Sequence, residues 1–176
     1  RKENQCHLNE VGLTGIVLGI CSGIFHANGT FWGEFLDLSS MFLLVCLGAS
    51  YNLMRIIKFS HQKRRLIMLT STLTAMILLW FFKPIGMALF GIMFASATLI
   101  ELYIYKKLNQ DADYKYFKYL VVTFLIAWGV WWLDILKIMC HPDNHIFTGH
   151  SFWHLACSLI VFYIYRFFGQ FKELKN

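Results

Sequence analysis

An all-α, polytopic transmembrane helix bundle is the fold class that this sequence predicts, and three observations carry the prediction. Of the 176 residues, 57% are hydrophobic and 18% aromatic, with a mean hydropathy of +0.53. A soluble domain is about 45–50% apolar. Charged residues are only 15% of the chain and fall in clusters. Between the clusters lie apolar stretches of about 17–25 residues, the length that crosses a ~30 Å hydrocarbon core. Helices are expected because lipid cannot satisfy a free backbone, and the sequence shows no barrel-like alternation.

Six spans are predicted along one membrane domain covering residues 1–176. They run from Val11 to Ala27, Phe31 to Ile57, Leu66 to Phe82, Pro84 to Tyr105, Tyr119 to Met139 and His150 to Phe168. The polar opening, Arg1–Glu10, reads as a loop between helices; it lacks the apolar core of a signal peptide. The turn at Asn28–Thr30 carries no charge, whereas the next connection brings Arg55, Lys58, Lys63, Arg64 and Arg65. Only Lys83 marks the following turn. Lys106, Lys107, Lys115 and Lys118 flank the fourth connection, the Cys140–Gly149 loop has neither Lys nor Arg, and the tail carries Arg166, Lys172 and Lys175. By the positive-inside rule, residue 1 and the C-terminus face the cytoplasm and the uncharged loops face out. The formal charge of +6 is thus read as loop charge. No nucleic-acid partner and no obligate protein partner are expected, and there is no Gly-rich phosphate loop, repeat or low-complexity tract. The five cysteines show no CxxC spacing, which excludes a zinc ribbon or redox pair.

Ionisable residues inside a span are expensive and point to function by default. Ser22 and His26 lie near the outer end of the first span, Asp37 near the outer start of the second, and Asp134 near the outer end of the fifth. His150 and His154 open the sixth. All share one depth, on the exoplasmic side. His150 and His154 are four apart, so both rings project from one helix face; Ser22 and His26 have the same spacing on another helix. Three imidazoles with one open position make a catalytic zinc site, and Asp37 would offset its charge. Each residue also has a plainer use. The histidines could be interfacial, Asp37 could cap a helix, Ser22 could pack helices, and Asp134 could pair with Lys137. Elsewhere, His7, His61, His141 and His145 read as solvated loop residues, and Glu101 as snorkelling to the interface. Asn28-Gly29-Thr30 matches a glycosylation sequon in a turn too close to the membrane to be used. Trp128, Trp131, Trp132 and Trp153 fit an outer aromatic belt.

The ordered set Ser22-Gly-Ile-Phe-His26, Asp37, Trp132-Leu-Asp134 and His150-Ser-Phe-Trp153-His154 resembles the alkaline ceramidases, members of the CREST superfamily of seven-span membrane hydrolases. The resemblance implies hydrolysis of the amide bond of ceramide, a membrane lipid, to a sphingoid base and a fatty acid. It implies Zn2+ held by His26, His150 and His154, Asp37 contacting the zinc-bound water, and Ser22 assisting at the carbonyl. Asp134 and Trp153 take supporting or structural roles around these residues. The chain has Asp37-Leu38 where the family often has Asp-Glu. It has no counterpart of the family's first span or of its acidic Ca2+-binding segment, so an N-terminally truncated seven-span protein is expected. The intact protein would have its N-terminus outside and its C-terminus in the cytoplasm. Its membrane would be the endoplasmic reticulum or Golgi in a eukaryote and the cell membrane in a bacterium. Two other functions fit the same residues: a related hydrolase acting on another acyl lipid, and a lipid-sensing seven-span receptor with a structural zinc.

Overall fold

The computed structural model describes residues 6–108, 112–138 and 148–171. Six long helices account for nearly all of them: α1 (Cys6–Asn28), α2 (Phe31–Ile56), α3 (His61–Phe81), α4 (Gly86–Lys107), α5 (Lys115–Ile135) and α6 (Gly149–Phe168). No strand occurs among the described residues. Each helix is long and apolar enough to cross a membrane, and the protein is a multi-pass membrane protein. The described residues form two compact units, one of 6–108 with Phe171 and one of 112–138 with 148–170.

In the first unit α2 is the central helix and packs against α1, α3 and α4. Its buried residues include Leu38, Phe42, Leu47 and Tyr51. The surrounding helices turn their large apolar residues outward: Leu13, Ile16, Leu66, Leu73, Ile92 and Leu99 are all more than half exposed. On helices of this length such a surface is what lipid covers.

The α1–α2 turn is held by short-range chemistry. Gly29 takes φ +59°, a conformation that suits glycine. The Asn28 side-chain oxygen accepts from the Thr30 backbone N–H at 3.0 Å and from its hydroxyl at 2.8 Å. The Thr30 oxygen in turn accepts from the Gly33 N–H at 3.1 Å and caps α2. A Cβ on Gly33 would come within 2.8 Å of the Phe25 Cα, so the absence of a side chain is what lets α1 and α2 close together here.

Several expectations are corrected at the other end of this unit. The opening segment was expected to be a loop up to Glu10, but α1 already begins at Cys6. His7 is buried rather than solvated, edge-on to the Tyr51 ring. Glu10 is accommodated because it meets Arg64, Arg65 at 2.8 Å and the Tyr51 hydroxyl at 2.7 Å. The third helix starts at His61, five residues before the expected Leu66. Ser60 caps it, so His61 is helical and Arg64 is almost fully buried. Glu101 does not reach the interface: it is fully buried and pairs with the equally buried Arg55 at 2.6 Å. For Glu10, Arg64 and Glu101 the physical reason is shared. Oppositely charged side chains on neighbouring helices neutralise each other, so the helices extend through polar residues that hydropathy alone assigns to loops. A 3-10 turn, Lys83–Ile85, precedes α4.

The second unit is the α5–α6 pair. Phe124 and Trp128 meet Trp153 at ring-centroid distances of 6.0 and 5.9 Å, and Phe117 meets Phe167 at 5.4 Å. The Gln170 side chain exchanges two hydrogen bonds with the Asp113 backbone, tying the end of α6 to the start of α5. Here α5 runs from Lys115 to Ile135 instead of from Tyr119 to Met139. Lys137, at φ +58°, turns the chain out of the helix. Cys140, His141, His145 and the rest of the expected fifth connection up to residue 147 lie outside the described residues, as does Met139.

Candidate active site

The residues singled out from the sequence fall into two sets, one in each unit. In the first unit, Ser22 and His26 occupy the last turns of α1, and Asp37 lies in the second turn of α2. The tight turn between these helices brings the three together. Ser22 is buried, His26 is exposed and Asp37 is half-buried. The Ser22 hydroxyl hydrogen-bonds the Asp37 carboxylate, and His26 is near enough to act on that carboxylate electrostatically. Asp37 does not cap α2, because Thr30 does. The Ser40 hydroxyl, one turn on, donates to the Asp37 backbone carbonyl at 2.6 Å and not to its carboxylate. This set lies at the end of α1 and α2 opposite the Lys- and Arg-rich connection between α2 and α3.

In the second unit, His150 and His154 stand on one face of α6, their ring centroids 4.8 Å apart. Both are part-exposed. Two imidazoles one turn apart, their rings edge to face at 66°, suit a divalent metal, since zinc binds imidazole nitrogen at about 2.0–2.1 Å and the i, i+4 spacing puts both rings on one helix face. The start of α6 is built to hold them. Thr148 caps the helix, its oxygen accepting from the Ser151 N–H at 3.0 Å. Asp134, from α5, accepts the His150 backbone N–H at 2.9 Å. It forms no ion pair with Lys137 among the described residues, contrary to one expectation. Trp153 is buried against Phe124, Trp128 and Trp131, so it serves the packing of α5 on α6 and not an outer belt.

Sequence reasoning passed over Thr148 and Gly149. A Thr-Gly pair directly before an apolar helical run is a start signal, and it was available. The hydrogen bond between Asp134 and His150 had no such signal, because it joins residues sixteen apart through the crossing of two helices.

Chemically, the first set offers a carboxylate able to carry a proton, a hydroxyl donor and an imidazole. The second offers two imidazoles on a fixed helix end. Searches of the curated proteins and of the solved structures each found no match. A family model described as Ceramidase matches residues 1–176, in accord with the resemblance carried by the Ser22, His26, Asp37 and His150–His154 motifs. The chain belongs to the ceramidase family.

Proposed function

We propose that this protein is a zinc-dependent intramembrane amidohydrolase that cleaves ceramide to a sphingoid base and a free fatty acid. The observation that carries the reading is the family match over residues 1–176, and it is supported by a hydroxyl–carboxylate–imidazole group on α1 and α2 and by two imidazoles on α6. His26, His150 and His154 would hold the metal. Bound there, zinc supplies Lewis acidity and makes water a competent nucleophile near neutral pH.

The chain's own groups do the rest. Asp37 takes a proton from the attacking water, whose oxygen bonds to the amide carbonyl carbon. In the resting state the Ser22 hydroxyl is turned to the Asp37 carboxylate. Once that carboxylate is protonated, Ser22 is released to donate to the oxyanion forming on the substrate. The carbon–nitrogen bond then breaks, and Asp37 returns the proton to the leaving amine. Half-burial of Asp37 strengthens these interactions by thinning the surrounding water. An intramembrane site suits a substrate with two hydrocarbon chains, which stay in apolar surroundings while the head region meets the polar groups. By the positive-inside rule, the Lys- and Arg-rich connection between α2 and α3 supports a site towards the exoplasmic side and a cytoplasmic C-terminus.

Metal analysis of the purified protein, paired with mass spectrometry of ceramide incubations, tests the reading. One zinc per chain and release of both products are expected, with turnover abolished in His150→Ala and Asp37→Ala. Normal hydrolysis by either variant would overturn the assignment of roles. Products from another acyl lipid with none from ceramide would overturn the substrate.

A further inference from the structure

The crossing of α5 and α6 holds a feature that bears on the metal site without belonging to its ligands. Asp134 Oδ2 accepts the backbone N–H of His150 at 2.9 Å. That N–H belongs to the first turn of α6, where donors have no intrahelical partner. Gly149, immediately before it, has no room for a side chain: a Cβ there would lie 2.7 Å from the Asp134 Cβ and 2.8 Å from the Val130 carbonyl oxygen. Both are backbone or next to backbone and cannot swing aside. On the other side of the helix start, Thr148 accepts from the Ser151 N–H at 3.0 Å. The first turn of α6 is therefore fixed at three consecutive residues, by a side-chain cap at Thr148, a close approach at Gly149 and a hydrogen bond from an adjacent helix at His150.

We infer that Asp134 and Gly149 form a positioning lock that sets the register and rotation of α6, and with it the aim of the His150 and His154 rings. The inference rests on the zinc reading above. Asp134 acts through the His150 backbone and not on the metal, so what matters is its acceptor oxygen and not its charge. Helix rotation is the sensitive coordinate. Both imidazoles project from one face, so a small turn of α6 would move both ring nitrogens together, away from where they would hold a metal, while leaving the helix intact.

The distinction between acceptor and charge makes the lock testable. In Asp134→Asn the side-chain oxygen remains to accept the His150 N–H and the charge is lost; in Asp134→Ala both are lost. Full-length protein in detergent is stripped of metal and titrated with Zn2+, and with Co2+ for its ligand-field absorption. Asp134→Ala is expected to bind zinc about 10- to 100-fold more weakly, the range for loss of a group that orients a ligand, with a cobalt spectrum shifted from tetrahedral. Asp134→Asn is expected to keep the wild-type spectrum and an affinity within a few-fold. Gly149→Ala is expected to behave like Asp134→Ala while retaining helical circular dichroism. Equal losses in Asp134→Asn and Asp134→Ala would overturn the lock in favour of a charge effect. Wild-type affinity and spectrum in both Asp134→Ala and Gly149→Ala would overturn it outright. A wild-type protein that takes up no metal would overturn the zinc reading and this inference together.

Discussion

Arg55 and Glu101 set a severe test of how the first unit is held together. Both side chains are fully buried, 2.6 Å apart, and link α2 to α4. The Arg55 guanidinium also lies 3.6 Å from the centroid of the Phe171 ring. Two unit charges at about 4 Å attract by about 4 kcal/mol at an effective dielectric of about 20. Removing one partner leaves the other charge buried without its counter-charge, at a cost of about 3–5 kcal/mol. Arg55→Met and Glu101→Leu should each destabilise by that amount. Arg55→Met should lie at the upper end because it also loses the cation–π contact, worth about 1–2 kcal/mol when shielded from water. If the two losses were independent, the double variant would be about 6–10 kcal/mol less stable than wild type. A pair that stabilises chiefly by mutual neutralisation predicts instead that Arg55→Met/Glu101→Leu falls within about 2 kcal/mol of wild type, since an apolar pair needs no counter-charge. Reversible unfolding in mixed detergent micelles, followed by circular dichroism, measures all four proteins. A double variant that shows the full additive loss would refute the argument.

Three further outcomes are expected. Ser22→Ala should lower kcat about 100- to 1,000-fold with little change in KM, as for loss of an oxyanion donor; a change confined to KM would contradict the role given to Ser22. Gly33→Ala should destabilise by about 1–3 kcal/mol, because the new methyl would meet the Phe25 Cα at 2.8 Å and the Asn28 side-chain oxygen at 3.0 Å; unchanged unfolding would show that the α1–α2 turn is looser than described. Cys46 is buried and Cys21 is not, so a maleimide should modify Cys21 in the folded protein and reach Cys46 only on unfolding, which peptide mass mapping resolves.

Much of the candidate site was legible because helical spacing is local. The four-residue steps from Ser22 to His26 and from His150 to His154 place each pair on one face whatever the rest of the chain does. The common depth expected for them with Asp37 and Asp134 rests on where each sits along its own span. What the spacing left open was which group each one meets. The Ser22–Asp37 hydrogen bond depends on the closeness of α1 and α2, which the Asn28–Gly33 turn sets. The choice of Asp134 between Lys137 and the start of α6 depends on helix crossing. Glu101 was misread for the same reason, since its counter-charge is 46 residues away in sequence.

By itself the sequence determined six apolar helical runs and their approximate places, and named the candidate residues for chemistry. A bilayer imposes that from outside: apolar runs of sufficient length must become helices, and polar groups within them must have a use. Only the tertiary structure decided where the helices begin, which charges are buried and how the start of α6 is fixed. Those outcomes come from pairs of groups on different helices. A charge or a free N–H is costly alone and acceptable when matched, and the match exists only after the helices have packed.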